Sequence, residues 1–283
     1  MRDAANVVSH ALDLGIRFID TAKLYGTEPA VGMALKGRRD GVVVSTKLSV
    51  LAPDGCVDAS SVSSQIDASL TVLGLETIDV MHLHGVTPAV YGRVVDGCLP
   101  LLQRAQRDGK IRHIGISELW NEDLSHAMLD RALDDDHFDV IMVGCNMLNS
   151  SAARSILPKA LSKGVATLVM FAVRRVFADP ALLKVICARL IERGEISAEA
   201  LDLEDPLGFL VREEECGGAR TLTEAAYRYC RHLAGASVVL TGTGRREHLV
   251  ENIAAIEGGP LPQGQLRALD AIFGRVVSVT GEK

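Results

Sequence analysis

Short apolar runs rich in Val and Ile alternate, along most of the chain, with longer stretches of helical periodicity. Seven runs read as strands: 17–21, 41–47, 77–84, 111–117, 138–146, 166–173 and 237–242. The first fifteen residues form an amphipathic helical pattern, and further helical stretches cover 59–75, 150–164, 179–194 and 221–235. Gly74, Gly164 and Gly235 stand where left-handed helix stops are expected. Repeated strand–helix units imply a parallel sheet with crossover helices. Polar residues recur at the C-terminal ends of several strands: Asp20, Lys47, His84, Ser117 and Asn146. In a closed (β/α)8 barrel such ends converge on one mouth. In an open doubly wound sheet only those at the switch point do, and a G-x-G-x-x-G turn follows the first strand. No such turn follows any early strand here.

The expected fold is therefore α/β, a (β/α)8 TIM-type barrel forming a single domain over residues 1–283. Residues 174–221 are set apart as a long loop insertion at the barrel mouth. Seven strands are one short of a closed barrel, so this chain is expected to lack the barrel's first strand. That leaves the edges of the Phe18 and Val239 strands without partners. At about 1–3 kcal/mol per buried unpaired group, stability and activity should suffer unless an upstream strand fills the gap.

Composition narrows the function. Hydrophobic residues make up 48% of the 283 and aromatics only 4%, which suits a Val/Ile/Leu barrel interior. A net charge of −6 argues against general nucleic-acid binding. No apolar run approaches a membrane span and no signal-peptide core is present. The six cysteines (Cys56, Cys98, Cys145, Cys187, Cys216 and Cys230) are scattered without a C-x-x-C pair. Reduced thiols and a cytoplasmic location are the expectation.

Four ionisable groups come from three consecutive strand ends: Asp20, Tyr25 in the loop beyond it, Lys47 and His84. An ammonium beside a phenol favours the phenolate and should lower the tyrosine pKa. Asp20 supplies the partner that a buried Lys47 needs. The set suits carbonyl reduction: Tyr25 protonates the developing alkoxide, and neutral His84 orients the carbonyl. His82 and His84 also give an H-x-H pair, but without the further ligands a metal-dependent hydrolase requires, so no metal is expected. Trp120 either lines a substrate pocket or packs a helix start.

The stretch LGIRFIDTAKLYGTE (14–28), with STK (45–47), DVMHLH (79–84), GKIRHIGIS (109–117), residues 146–173 and LTGTGRREHLVEN (240–252), resembles the aldo-keto reductases in order along nearly the whole chain. The resemblance implies a (β/α)8 barrel using NADP(H), with NAD(H) as the alternative, and Asp20, Tyr25, Lys47 and His84 as catalytic tetrad. It places the nicotinamide end of the cofactor against Ser117, Glu118, Met142 and Phe171. The adenosine phosphate end falls to Gly242, Thr243, Gly244, Arg245, His248, Glu251 and Asn252. This chain departs from the family pattern at Glu118 (usually Asn), Met142 (usually Gln), His248 (usually Arg) and Gly242 (often Lys). The implied partner is a small-molecule carbonyl or alcohol, with no nucleic acid or membrane. The alternative is a catalytically weak or inactive NAD(P)-binding barrel serving as a regulatory or interaction subunit.

Overall fold

The computed structural model describes residues 1–51, 58–211 and 217–282. Its elements, in order, are α1 (Arg2–Asp13), β1 (Phe18–Asp20), α2 (Glu28–Leu35), β2 (Val43–Ser49), α3 (Val62–Leu73), β3 (Ile78–Val86), α4 (Tyr91–Arg107), β4 (Ile111–Glu118), α5 (Ala127–Asp135), β5 (Val140–Gly144), α6 (Ser151–Arg154), α7 (Ile156–Lys163), β6 (Ala166–Met170), α8 (Pro180–Glu192), α9 (Leu222–Arg231), β7 (Val238–Val239), α10 (Arg246–Glu257) and α11 (Gln263–Phe273). The parallel strands pair in the order β1-β2-β3-β4-β5-β6-β7. A doubly wound sheet reverses direction at a switch point; this order never reverses, as in a singly wound barrel.

All seven expected strands form. The two end strands are cut shortest, to three and two residues. Among the described residues each has a single strand neighbour, so only one edge of each builds a ladder. Only Leu168↔Val238 and Val169↔Val239 register in the β6–β7 pair. The helix expected over 150–164 is two pieces, α6 and α7. Pro158 has no N–H to donate to the Arg154 carbonyl one turn back, and the helix breaks between them. Gly74 and Gly164 do cap α3 and α7 in the left-handed region. Helix α9 stops at Arg231, short of Gly235.

The chain divides into two compact units. One comprises Met1–Leu119, Ala127–Met142 and Gly242–Leu249, the other Trp120–His126, Val143–Thr241 and Val250–Lys283. In the first, the buried carboxylate of Asp79 anchors the start of β3. It accepts from the Val44 backbone N–H at 2.7 Å and from Arg39 at 2.5 Å, with Arg112 Nη1 at 3.3 Å. In the second, the stretch 174–221 is no open loop where it is described. Phe177, Leu183, Ile186, Cys187, Leu190, Leu207 and Leu210 join Phe273 and Val276 in one apolar core. The rest of that stretch, 212–216 with Cys216, lies outside the described residues, as does Cys56. The other four cysteines are free and buried. Among the described residues no helix is long and apolar enough to cross a membrane.

Candidate active site

Strand register builds the site. Asp20 pairs in register with Ser45, and Lys47 lies two residues further on the same face of β2. From there the Lys47 ammonium reaches back to Asp20 Oδ2 at 2.5 Å and to the Thr21 carbonyl at 2.8 Å. Ser45 Oγ donates to the other Asp20 oxygen at 2.8 Å. Lys47 registers with His82, and Ser49 with His84, so both histidines share the face that carries the lysine. The His82 ring fills the space left by Gly115, where an added Cβ would fall 2.4 Å from its Nδ1.

Tyr25 ends a single 3-10 turn (Lys23–Tyr25) that Gly26 closes at φ +66°, a conformation that favours glycine. The loop is stitched to β2 by side chains that sequence reasoning passed over. Thr21 and Thr27 share a hydroxyl contact of 2.7 Å, and Thr46 Oγ1 donates to the buried Glu28 carboxylate at 2.7 Å. The signal was present: Ser45 and Thr46 immediately precede the strand lysine, and Thr27–Glu28 follow the tyrosine loop. So held, Tyr25 Oη lies 3.3 Å from His84 Nε2, and the Lys47 nitrogen sits 5.0 Å from the tyrosine ring centroid. Lys47 is 2% exposed and Tyr25 52%, so the charge pair is buried while the phenol faces outward.

Burial is the larger influence on both members of the pair, drawing Lys47 down and Asp20 up from their ordinary values, while their mutual attraction opposes it. Wherever the proton sits between them, the pair's net charge is zero. The phenol therefore feels no net cation. Burial, and then the Asp20 charge, push Tyr25 up to about 12, the reverse of the lowering expected from a neighbouring ammonium. Burial and then Lys47 hold His84 down to about 4, so its ring is neutral at neutral pH. The arrangement is a protonated phenol beside a neutral imidazole, over a buried ion pair. Among the described residues no group of three or more His, Cys, Asp or Glu is gathered to hold a metal.

The aldo/keto reductase family model matches residues 1–273. The chain belongs to that family. It is 29% identical to the L-galactose dehydrogenase of Arabidopsis thaliana over 290 aligned positions, covering 98% of this chain and 86% of that protein. Its fold is similar to that of the aldo-keto reductase AKR11C1 from Bacillus halodurans in its holo form (TM-score 0.72, 22% identity, 99% and 90% of the two chains covered). An aldo/keto reductase from Klebsiella pneumoniae, solved with NADP and acetate, superimposes with TM-score 0.60 at 20% identity (97% and 86% covered). As a member of this family the protein is an oxidoreductase with the family's (β/α)8-type fold.

The remaining residues singled out in this aldo/keto reductase fall into three environments. Ser117 and Glu118 are buried at the end of β4, and Met142 is buried in the middle of β5. The Ser117 hydroxyl accepts from the Gly85 N–H at 2.8 Å and reaches the Leu83 carbonyl at 3.4 Å. It thus fixes the register shift in β3 that surrounds His84. Phe171 follows β6 and is partly buried beside Trp120, whose ring lies parallel to it with centroids 6.1 Å apart. Trp120 itself is buried over Gly144, where a Cβ would fall 2.2 Å from the indole; it packs. The turn before α10 is exposed at Gly242, Gly244, Arg245 and His248, and Thr243 Oγ1 accepts from the Arg245 N–H at 3.1 Å. Beyond it, Glu251 is exposed, while Asn252 is buried and donates to Thr241 Oγ1 at 2.8 Å.

Proposed function

We propose that this oxidoreductase reduces an aldehyde or ketone to the alcohol, or runs the reverse, with NADP(H) or NAD(H). The observation that carries the reading is the Asp20–Lys47 contact of 2.5 Å beneath a tyrosine whose oxygen lies 3.3 Å from His84. When bound, the nicotinamide cofactor supplies or accepts a hydride at the carbonyl carbon.

In this reading the chain's own groups manage the proton. Tyr25, protonated at neutral pH, gives its hydrogen to the oxygen that gains negative charge. Neutral His84, within reach of the same phenol, donates from its ring nitrogen to that oxygen and sets its direction. Lys47, fixed by Asp20 and Thr21, keeps its nitrogen 5.0 Å from the centre of the phenol ring, so the pair stays beside the tyrosine throughout the transfer. Ser117 holds the strand irregularity that aims His84.

Several features suit a dinucleotide. Gly242 and Gly244 face open space, and neither needs glycine for its φ or for packing within the chain. Close approach of a phosphate to the backbone is a reason for both to lack a side chain. Arg245 and Arg246 are exposed with no ion-pair partner among the described residues, which suits an incoming phosphate. Phe171 is the ring offered to the nicotinamide. A second reading, a nicotinamide-binding barrel of little activity, draws support from Met142, an apolar side chain where the family holds the carboxamide with glutamine. The test is a fluorescence titration with NADPH and NADH, followed by a panel of carbonyl substrates. Binding with turnover is the expected result; binding without turnover would move the protein to the second reading.

A further inference from the structure

Phe171 has φ +67°, a left-handed conformation that a bulky side chain adopts only when its surroundings impose it. Asn146 Nδ2 donates to the Phe171 carbonyl at 3.4 Å and to that of Thr280 at 3.0 Å. Over the ring lies the guanidinium of Arg174, its central carbon 3.5 Å from the ring centroid. Arg174 Nη1 donates to Glu282 Oε2 at 2.5 Å. Its Nε and Nη2 are buried with no hydrogen-bond partner among the described residues. The Arg174 side chain is 10% exposed and that of Glu282 44%.

Glu282 is in place because the segment carrying it is tied down at successive residues. Ser278 Oγ donates to Glu195 at 2.6 Å, and Asn149 Nδ2 donates to the Val279 carbonyl at 3.0 Å. Thr280 Oγ1 donates to Asn121 at 3.0 Å, and the Val176 N–H donates to the Gly281 carbonyl at 3.2 Å. Gly281 takes φ +80°, and an added Cβ there would lie 2.9 Å from Val176 Cγ1.

A buried cation with two unpaired donors is poorly settled. Packing against Phe171 alone would be served as well by an uncharged side chain of similar length. What keeps the guanidinium there is one carboxylate on a half-exposed residue. We propose that Glu282 is a positioning residue that parks Arg174 on the Phe171 ring, and that a nicotinamide stacks on this ring only once the guanidinium is drawn off. This rests on the assignment of Phe171 made under Proposed function. Displacement breaks one ion pair and one cation–π contact, and it frees Nε and Nη2 to find partners. The pair therefore works against cofactor binding, and loosening it tightens binding.

Trp120 is the chain's single tryptophan and lies parallel to Phe171, so its emission reports on this ring without any ligand. The experiment compares wild type, Glu282→Gln and Arg174→Met in two readouts. One is Trp120 emission of the cofactor-free protein, and the other is Kd for NADPH and NADH from nucleotide fluorescence. Both variants are expected to alter the emission and to bind nucleotide roughly three- to tenfold more tightly. A purely structural pair would change the melting temperature and leave Kd alone, which overturns the proposal. Weaker nucleotide binding by Arg174→Met also overturns it, since Arg174 would then hold the cofactor and not compete with it. If wild type binds neither nucleotide, the assignment of Phe171 itself falls; if wild type binds and both variants bind identically, only the parking role falls.

Discussion

The tetrad and the turn before α10 solve opposite problems. Around Tyr25, polar groups find partners within the chain: Lys47 has Asp20 and Thr21, Asp20 has Ser45, and Tyr25 has His84. At Gly242–Arg246 the charges are exposed and unpaired among the described residues, and the glycines front open space. The first region is assembled in advance, so its cost is met on folding. In the proposed reading the second keeps its interactions in reserve for the cofactor phosphates. A catalytic group gains from fixed geometry, whereas a group that grips a mobile anion gains from being unspent. Damage to the first should therefore appear in stability and chemistry together. Damage to the second should appear in affinity alone.

The sharpest way to break this contrast is Asp20→Asn. Removing one member of a buried ion pair leaves the other uncompensated, and the expected loss is about 3–5 kcal/mol of stability by urea unfolding. The double variant Asp20→Asn with Lys47→Met should regain part of that stability and none of the activity. Equal stability of wild type and Asp20→Asn would mean the pair is not buried as described.

The next effect is on pH dependence. With Tyr25 pushed up to about 12 and His84 held down to about 4, both stay in their working forms for reduction between pH 6 and 9. The reductive kcat/KM should be flat across that range. Oxidation needs the phenolate, whose fraction grows about tenfold per pH unit below the pKa, so its rate should climb about a hundredfold from pH 7 to 9. A reductive profile that falls steeply through pH 8 would show a phenol of ordinary or lowered pKa.

The smallest effect belongs to the turn. Arg245→Ala is expected to raise Kd for NADPH roughly tenfold, with unchanged melting temperature and with NADH little affected. A loss of stability there would place that arginine in the folded framework and erase the contrast with the tetrad.

Strand positions were legible because each strand buried by helices is a compact apolar run, and the proposed tetrad could be named because Asp20, Lys47 and His84 lie on three consecutive strands with Tyr25 in the turn after the first. What could not be read depends on partners distant in sequence. The shortening of 237–242 to Val238–Val239 reflects strand neighbours. The split at Ser155 was readable from Pro158 and was missed. The rise in the Tyr25 pKa follows first from burial and then from the Asp20 charge, neither of which the spacing along the chain reveals. The Arg174 cover on Phe171 is held by a carboxylate 108 residues further along the chain. No local pattern announces that contact.

The central claim is that Tyr25 hands over the proton. Single-turnover reduction of a carbonyl substrate by NADPH-saturated Tyr25→Phe tests it most directly. The rate should fall about 10²–10⁴-fold while the NADPH titration superimposes on that of wild type. Turnover equal to wild type with the hydroxyl gone would contradict the account.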